Sequence, residues 1–325
     1  MKKRVISGVS CLLFLGLLTG AAFSNMKPSE YYVADEKIVA ISPALDTRSV
    51  TRATDRFRLL YDTYLAPNDM HPYVAIVPDK SYYLADPKGR GQMDYEALFA
   101  LTYSQMDYAE PIDLAASLDG DSYYRTDSHW RQECLAPVAE CITEATGVST
   151  IAFSEGRTDG GINYDTLFAA DGFVGSYGEA ITLASGWERE KFAAIKPDAV
   201  YYLTNDILDQ AVVLNYDNDS RSGLYDWEKL AERNPYDFFL SGASALMYIE
   251  SPAALTDRQL VVFRDSYGSS LIPLLTPYYQ EILVVDIRYT MSDRLGERVD
   301  FADWAGADAL YLYSTTLLNR SISLK

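Results

Sequence analysis

Histidine, cysteine and basic residues are all scarce in this chain of 325 residues, and each shortage removes a class of chemistry. The two histidines are His71 and His129, so only two side chains have an ordinary pKa suited to relaying a proton near neutrality. The three cysteines, Cys11, Cys134 and Cys141, form no Cys-x-x-Cys unit and have no histidine pair nearby. That excludes the usual zinc patterns, and no other motif calls for a metal or a cofactor. Lysine and arginine number 28 against 46 acidic residues, a formal charge of −18. Nucleic acid is excluded as a partner, because neutralising phosphates takes clustered basic side chains. Anionic lipid and acidic glycans are disfavoured on the same ground, and a neutral sugar or an uncharged acyl donor fits better.

Long apolar runs are absent beyond Asn25. Before it, Met1-Lys2-Lys3-Arg4 is followed by an uncharged stretch to Met26, with Gly20-Ala21-Ala22 as small residues for a cleavage site. Residues 1–25 are therefore expected to be a signal peptide or an N-terminal membrane anchor, and the pattern fits both. Either places the remainder outside the cytoplasm, secreted or anchored to the cell membrane. Residues 26–70 are mixed and polar with one helical stretch near 56–64, and they are expected to form a stem packing on a domain over 71–325. With 48% hydrophobic residues that domain can bury a full core. Most of the 26 tyrosines belong to strand patterns, with a few left to stack on sugars.

Cys134 and Cys141 read as two small buried residues on one helix face. A continuous helix would separate their Cα atoms by ~10 Å, beyond the ~7 Å limit of a disulfide. Only a break at Pro137 leaves a bridge open.

Along the domain, strands are predicted at 73–77, 112–118, 199–203, 211–215, 245–250, 259–264, 281–287 and 309–313. Helices are predicted at 95–108, after Trp130 up to a stop at Gly147, at 227–233, at 268–279 and, as a short turn, at 300–306. Residues 154–196 look Gly-rich and irregular, including Gly160-Gly161. Continuous apolar strands alternating with helices predict an α/β fold, a mostly parallel sheet with helices on both faces.

Such sheets place ligand sites at the carboxyl ends of their strands. Ser266 follows the apolar run Leu260-Val261-Val262-Phe263 by a few residues and directly precedes a predicted helix. A serine there is exposed beside outward-facing backbone N–H groups at a helix N-terminus, with Gly268 permitting a sharp turn. These are parts of an oxyanion hole, where one donor contributes about 3–4 kcal/mol to the barrier. The alternative is an ordinary helix cap. Thr126-Asp127-Ser128-His129-Trp130 supplies the missing parts: one intervening residue lets Asp127 orient the His129 ring as an acid–base group. That segment, too, has a plain alternative as a helix cap. His71, between Met70 and Pro72, is expected in a loop. The 172–178 stretch is expected to be a plain loop, with a backbone N–H lent to the site as the other option. No Lys-Ser or Lys-Thr follows its glycines, so it is not a phosphate loop.

Asp-Ser-His-Trp before a helix, then Arg-Asp-Ser-Tyr-Gly-Ser-Ser-Leu-Ile-Pro, then Val-Val-Asp-Ile-Arg-Tyr resembles the DHHW family of bacterial surface proteins. It also resembles the related alginate O-acetylation proteins, with further similarity at 236–242 and 311–319, in order along roughly 73–325. The resemblance implies an SGNH-hydrolase-like three-layer sandwich with Ser266 as nucleophile, His129 as base and Asp127 as its orienter. It also implies Asp265 as the carboxylate of the Gly-Asp-Ser-like block. Gly268, Tyr267, Arg288, Tyr289 and Trp130 would join Asp265 in lining the substrate and oxyanion region. Two departures stand out: Ser128 where the family name has histidine, and Ser241-Gly242-Ala243 where members often carry Gly-Gly-Asn. The implied activity is a serine acyl-esterase or O-acetyltransferase acting on a cell-surface glycan. The alternatives are a non-catalytic glycan-binding protein and a scaffold partner of envelope membrane proteins.

Overall fold

The computed structural model describes residues 28–91, 93–153, 161–178, 182, 186–232 and 234–325. The expected leader at 1–25 and Gly160 lie outside them. Among the described residues the strands, in chain order, are β1 Tyr31–Ala34, β2 Lys37–Ala40, β3 His71–Val77, β4 Glu110–Ile112, β5 Asp165–Phe173 and β6 Asp198–Thr204. They continue with β7 Val212–Asn215, β8 Ser220–Ser222, β9 Leu246–Glu250, β10 Gln259–Arg264, β11 Glu281–Val285 and β12 Asp308–Ser314. The helices are α1 Thr47–Leu60, α2 Lys80–Tyr83, α3 Tyr95–Gln105, α4 Ala136–Ala145, α5 Val148–Phe153, α6 Gly186–Ala193, α7 Gly268–Leu271 and α8 Thr315–Leu318.

Eight strands form the main sheet in the order β4-β3-β12-β10-β11-β9-β7-β8. The first five run parallel, and β9, β7 and β8 add an antiparallel edge. The central strands carry unbroken apolar runs where they are buried, at 282–285 in β11 and 309–313 in β12. Successive side chains leave a strand on opposite faces, and they divide here between two clusters. Leu260, Val262, Leu310 and Leu312 join Val138, Ala139 and Ile142 of α4. Val261, Phe263, Tyr311 and Tyr313 join Val50, Ala53, Phe57 and Leu60 of α1. The segment expected as a stem thus supplies core residues. Asp46 caps α1 by accepting from the Arg48 and Ser49 N–H groups.

Several local expectations are corrected. The strand expected at 112–118 stops at Ile112, since Asp113 accepts from the Ala115 N–H and turns the chain. The helix expected at 268–279 is one α turn followed by the 3-10 segment Ile272–Leu275, because Pro273 has no N–H to continue the ladder. The irregular stretch contains β5, paired antiparallel with β6, and α6. A hairpin, β1–β2, precedes α1, its turn formed by Asp35 and Glu36 with φ of 46° and 57°. Cys134 closes a 3-10 turn while Cys141 sits in α4, with Pro137 in that helix's first turn, so the two are not on one helix; both are free thiols. Among the described residues no helix is long and apolar enough to cross a membrane.

Candidate functional site

At the carboxyl ends of the parallel strands, Asp127 and His129 of one loop meet Ser266, which lies 137 positions beyond His129. Asp127 Oδ1 lies 2.6 Å from His129 Nδ1, and His129 Nε2 lies 2.8 Å from Ser266 Oγ. Asp127 is fully buried, His129 nearly so, and Ser266 half-buried. Burial alone would raise the Asp127 pKa, but the His129 ring and the N–H groups of Ser176 and His129 overcome it. The carboxyl is held well below the usual carboxylate range. His71 is exposed at the start of β3, at the opposite ends of these strands.

The loop carrying Asp127 is held from several sides. The His129 N–H donates to Asp127 Oδ1 at 2.8 Å, and the Ser176 N–H donates to Oδ2 at 2.6 Å. So the 172–178 segment does lend a backbone donor. Gly175 is what lets it come so close: a Cβ there would sit 2.2 Å from Asp127 Oδ2. Asp198, at the start of β6, accepts from the Arg125 N–H at 2.7 Å and from the Thr126 N–H at 2.8 Å. Ser128, which stands where the family name has histidine, faces Ser176, with its N–H 3.2 Å from Ser176 Oγ. The Tyr236 ring lies flat on the His129 ring, 3.8 Å between centroids and 8° from parallel.

The turn bearing Ser266 is fixed by Asp265, which accepts from the Tyr267 N–H at 3.0 Å and from Ser314 N and Oγ at 2.9 and 2.7 Å. Asp265, expected among the residues lining the substrate and oxyanion region, is instead buried and ties the turn bearing Ser266 to the end of β12. The N–H expected from Gly268 for an oxyanion donates to Asp265 O at 3.2 Å, and the Ser269 N–H donates to Ser266 O. Among the described residues the Ser266 N–H has no acceptor, which leaves it as the local backbone donor. Gly268 serves packing, since a Cβ there would meet Arg264 Cβ at 3.0 Å. Trp130 is fully buried and donates to Tyr267 O and Ser270 Oγ, and the Tyr267 hydroxyl donates to Ser128 O at 2.8 Å. Both stand behind the site, where they lock the two loops together. The Arg288 guanidinium grips Asp286 in a fork of 2.8 and 2.5 Å, so it is committed to that carboxylate. Tyr289 is half-buried beside it, its ring 5.4 Å from the guanidinium carbon.

Lys80 lies beneath this arrangement, 2% exposed. Its ammonium donates to Asp127 O at 2.6 Å and to Ile38 O at 2.8 Å, 4.9 Å from the centre of the Tyr177 ring. Burial pulls its pKa down to about 7, against the pull of Asp127 and Asp198 in the other direction. The unfolded chain therefore binds a proton that the folded one has released between about pH 7 and the ordinary value of 10.5. Stability is expected to rise with pH across that window, and Lys80→Met is expected to remove this slope. Urea denaturation of both proteins from pH 7 to 9.5 measures the difference.

Gly175 and Ser176 fall in the stretch whose second option was a lent backbone N–H, whereas the parts played by Tyr236, Asp198 and Lys80 escape the sequence reading. Glycine density flagged the first two, and Tyr236 sat in a resembling segment. Nothing flagged Lys80, since lysine is almost always a surface residue.

No protein-family model and no curated protein sequence matches the chain. Solved structures do. A DHHW family protein from Eubacterium siraeum superposes with a TM-score of 0.65 at 18% identity, covering 89% of this chain and 91% of that one. Bacillus cereus PatB1 with a sulfonyl adduct gives 0.65 at 14% identity, covering 89% and 97%. The O-acetyltransferase domain of Pseudomonas putida AlgJ gives 0.52 at 13% identity, covering 89% and 92%. In fold, then, the chain is similar to a DHHW family protein, to PatB1 and to the AlgJ O-acetyltransferase domain.

Proposed function

We propose that this chain is an extracytoplasmic enzyme of SGNH-like, three-layer architecture that acts on ester-linked acyl groups of a cell-surface glycan. The observation that carries the reading is the unbroken relay from Asp127 through His129 to Ser266, at 2.6 and 2.8 Å. The fold likeness to PatB1 and to the AlgJ domain supports it. In this reading Ser266 Oγ attacks the acyl carbonyl carbon while His129 Nε2 takes the hydroxyl proton. The oxyanion receives the Ser266 N–H. The tetrahedral adduct expels the alcohol, which takes the proton back from His129, and leaves an acyl group on Ser266. Water as the next acceptor makes an esterase; a sugar hydroxyl makes an O-acetyltransferase. The segment at 1–25 would hold the enzyme at the envelope or direct its export.

A sulfonyl fluoride tests the serine directly. One equivalent is expected on Ser266, located by peptide mass spectrometry, with loss of acetate release from p-nitrophenyl acetate. Full turnover after stoichiometric labelling, or in Ser266→Ala, would sink the proposal. Glycan binding with Ser266 refractory to the reagent would point instead to the non-catalytic reading.

The loop over Asp127 gives a second check. Gly175→Ala is expected to push the Ser176 N–H off Asp127 Oδ2, since the new methyl has no room. A displacement of about 1 Å in such a support costs roughly 10²-fold in rate. The comparison is kcat for the ester in both proteins, with circular dichroism confirming an unchanged fold.

A further inference from the structure

We propose that Lys80 is a positioning residue that clamps the N-terminal hairpin β1–β2 onto the loop carrying Asp127, making the hairpin part of the apparatus that aligns Asp127 with His129. The clamp joins parts that are far apart in sequence. Ile38 lies in β2, Lys80 just after β3, and Asp127 in a loop whose regular pairing is a single bridge, Tyr123 to Trp130. Ile38 works in both directions: its N–H donates to Arg125 O at 2.8 Å while its carbonyl accepts from Lys80. One residue before it, Lys37 Nζ reaches Asp121 at 2.6 Å. Tyr31 of β1 packs edge-on against Tyr177, 5.2 Å between centroids, and the Tyr177 N–H donates to Thr126 O. The hairpin therefore touches the loop before Asp127 and the segment that supplies the Ser176 N–H, with the Lys80 ammonium at the junction.

Burying an ammonium is costly unless its protons are used. Here no carboxylate pairs with it directly among the described residues. Asp127 and Asp198 act on it through their charge, opposed by Lys37. What the position demands is two donors aimed at carbonyls of two separate segments, which an apolar side chain does not provide. A neutral amine still has two N–H bonds, so the clamp persists above its titration. A carboxylate that must orient an imidazole has to be held to within roughly 0.5 Å, and the Asp127 carbonyl is gripped by Lys80 for that purpose.

The effect of Lys80 on turnover rests on the acyl-ester reading; its effect on the imidazole does not. The experiment therefore reads both in the full chain, carrying His71→Gln so that His129 is the sole histidine. In protein labelled with 15N-histidine, the Nδ1–H proton held by Asp127 is expected as a far-downfield resonance. In Lys80→Met that resonance is expected to shift or broaden away, and sulfonylation of Ser266 to slow about 10-fold or more. Circular dichroism and tryptophan fluorescence should be unchanged, and Lys80→Arg, which keeps donors, should recover part of both. A folded Lys80→Met protein with the same resonance and labelling rate overturns the clamp. Where Lys80→Met does not fold, Tyr31→Ala carries the test, because it loosens the same hairpin from Tyr177 and leaves Lys80 in place. An unaltered resonance there removes the hairpin from the aligning apparatus and so overturns the proposal. A wild type that shows the resonance but resists sulfonylation refutes the acyl reading alone, and the clamp is then judged on the resonance.

Discussion

Ser266→Ala is expected to lower ester turnover about 10⁴-fold or more while leaving the fold intact. The substitution removes one half-buried oxygen whose hydrogen-bond partner is His129 Nε2 at 2.8 Å. The anchors of the turn are untouched, since they run through Asp265 to the Tyr267 N–H and to Ser314. The Ser266 N–H also survives, so any residual rate reports what oxyanion binding alone provides. Members of such a relay act as a unit, and loss of the nucleophile costs about as much as loss of all three. The check is single-turnover acetate release under saturating ester, with melting temperatures compared side by side. Rates within tenfold of the parent would mean that another group performs the attack.

Asp127→Asn is the more discriminating change, because it alters no volume. Three N–H groups converge on this carboxylate: His129 Nδ1 and the His129 backbone at Oδ1, and Ser176 at Oδ2. An amide has only one acceptor oxygen, so its NH₂ must oppose at least one donor. Facing His129, it favours the tautomer with hydrogen on Nε2, which cannot take a proton from Ser266. A fall in kcat of about 10⁴-fold is expected. Facing Ser176, it leaves a half-buried N–H unpaired, at a cost of about 1 kcal/mol of stability, the low end for a buried donor. The pH dependence separates the variant further. The folded Asp127 carboxyl titrates well below its unfolded counterpart, whose ordinary value is about 3.9. The stability it contributes is thus complete above that value and lost as pH falls beneath it. The asparagine protein should lack this component, which denaturation at pH 6 and pH 3 would show.

How much of this was legible follows burial. Strands β10 and β12 were readable because their apolar runs are unbroken, as buried parallel strands require. Asp127, His129 and Ser266 were readable because histidine is rare and the flanking motifs resemble a known family. The hairpin β1–β2 was missed because Asp35 and Glu36 make its turn without glycine or asparagine, the usual signal. Strand β5 was missed for the opposite reason: its first four residues are all exposed, so no alternation marks it. The oxyanion assignment to Gly268 failed on hydrogen bonds. Which backbone N–H is free depends on where Asp265 and its neighbours place their acceptors, and no spacing rule encodes that.

The main sheet ends in two three-residue strands, β4 and β8. Pro111 at the centre of β4 has no hydrogen to offer a newcomer, and Arg221 puts a charge at the centre of β8. Neither border is a template for another chain's backbone. At high local concentration, copies of this protein are thereby kept from zipping together along the borders of the main sheet.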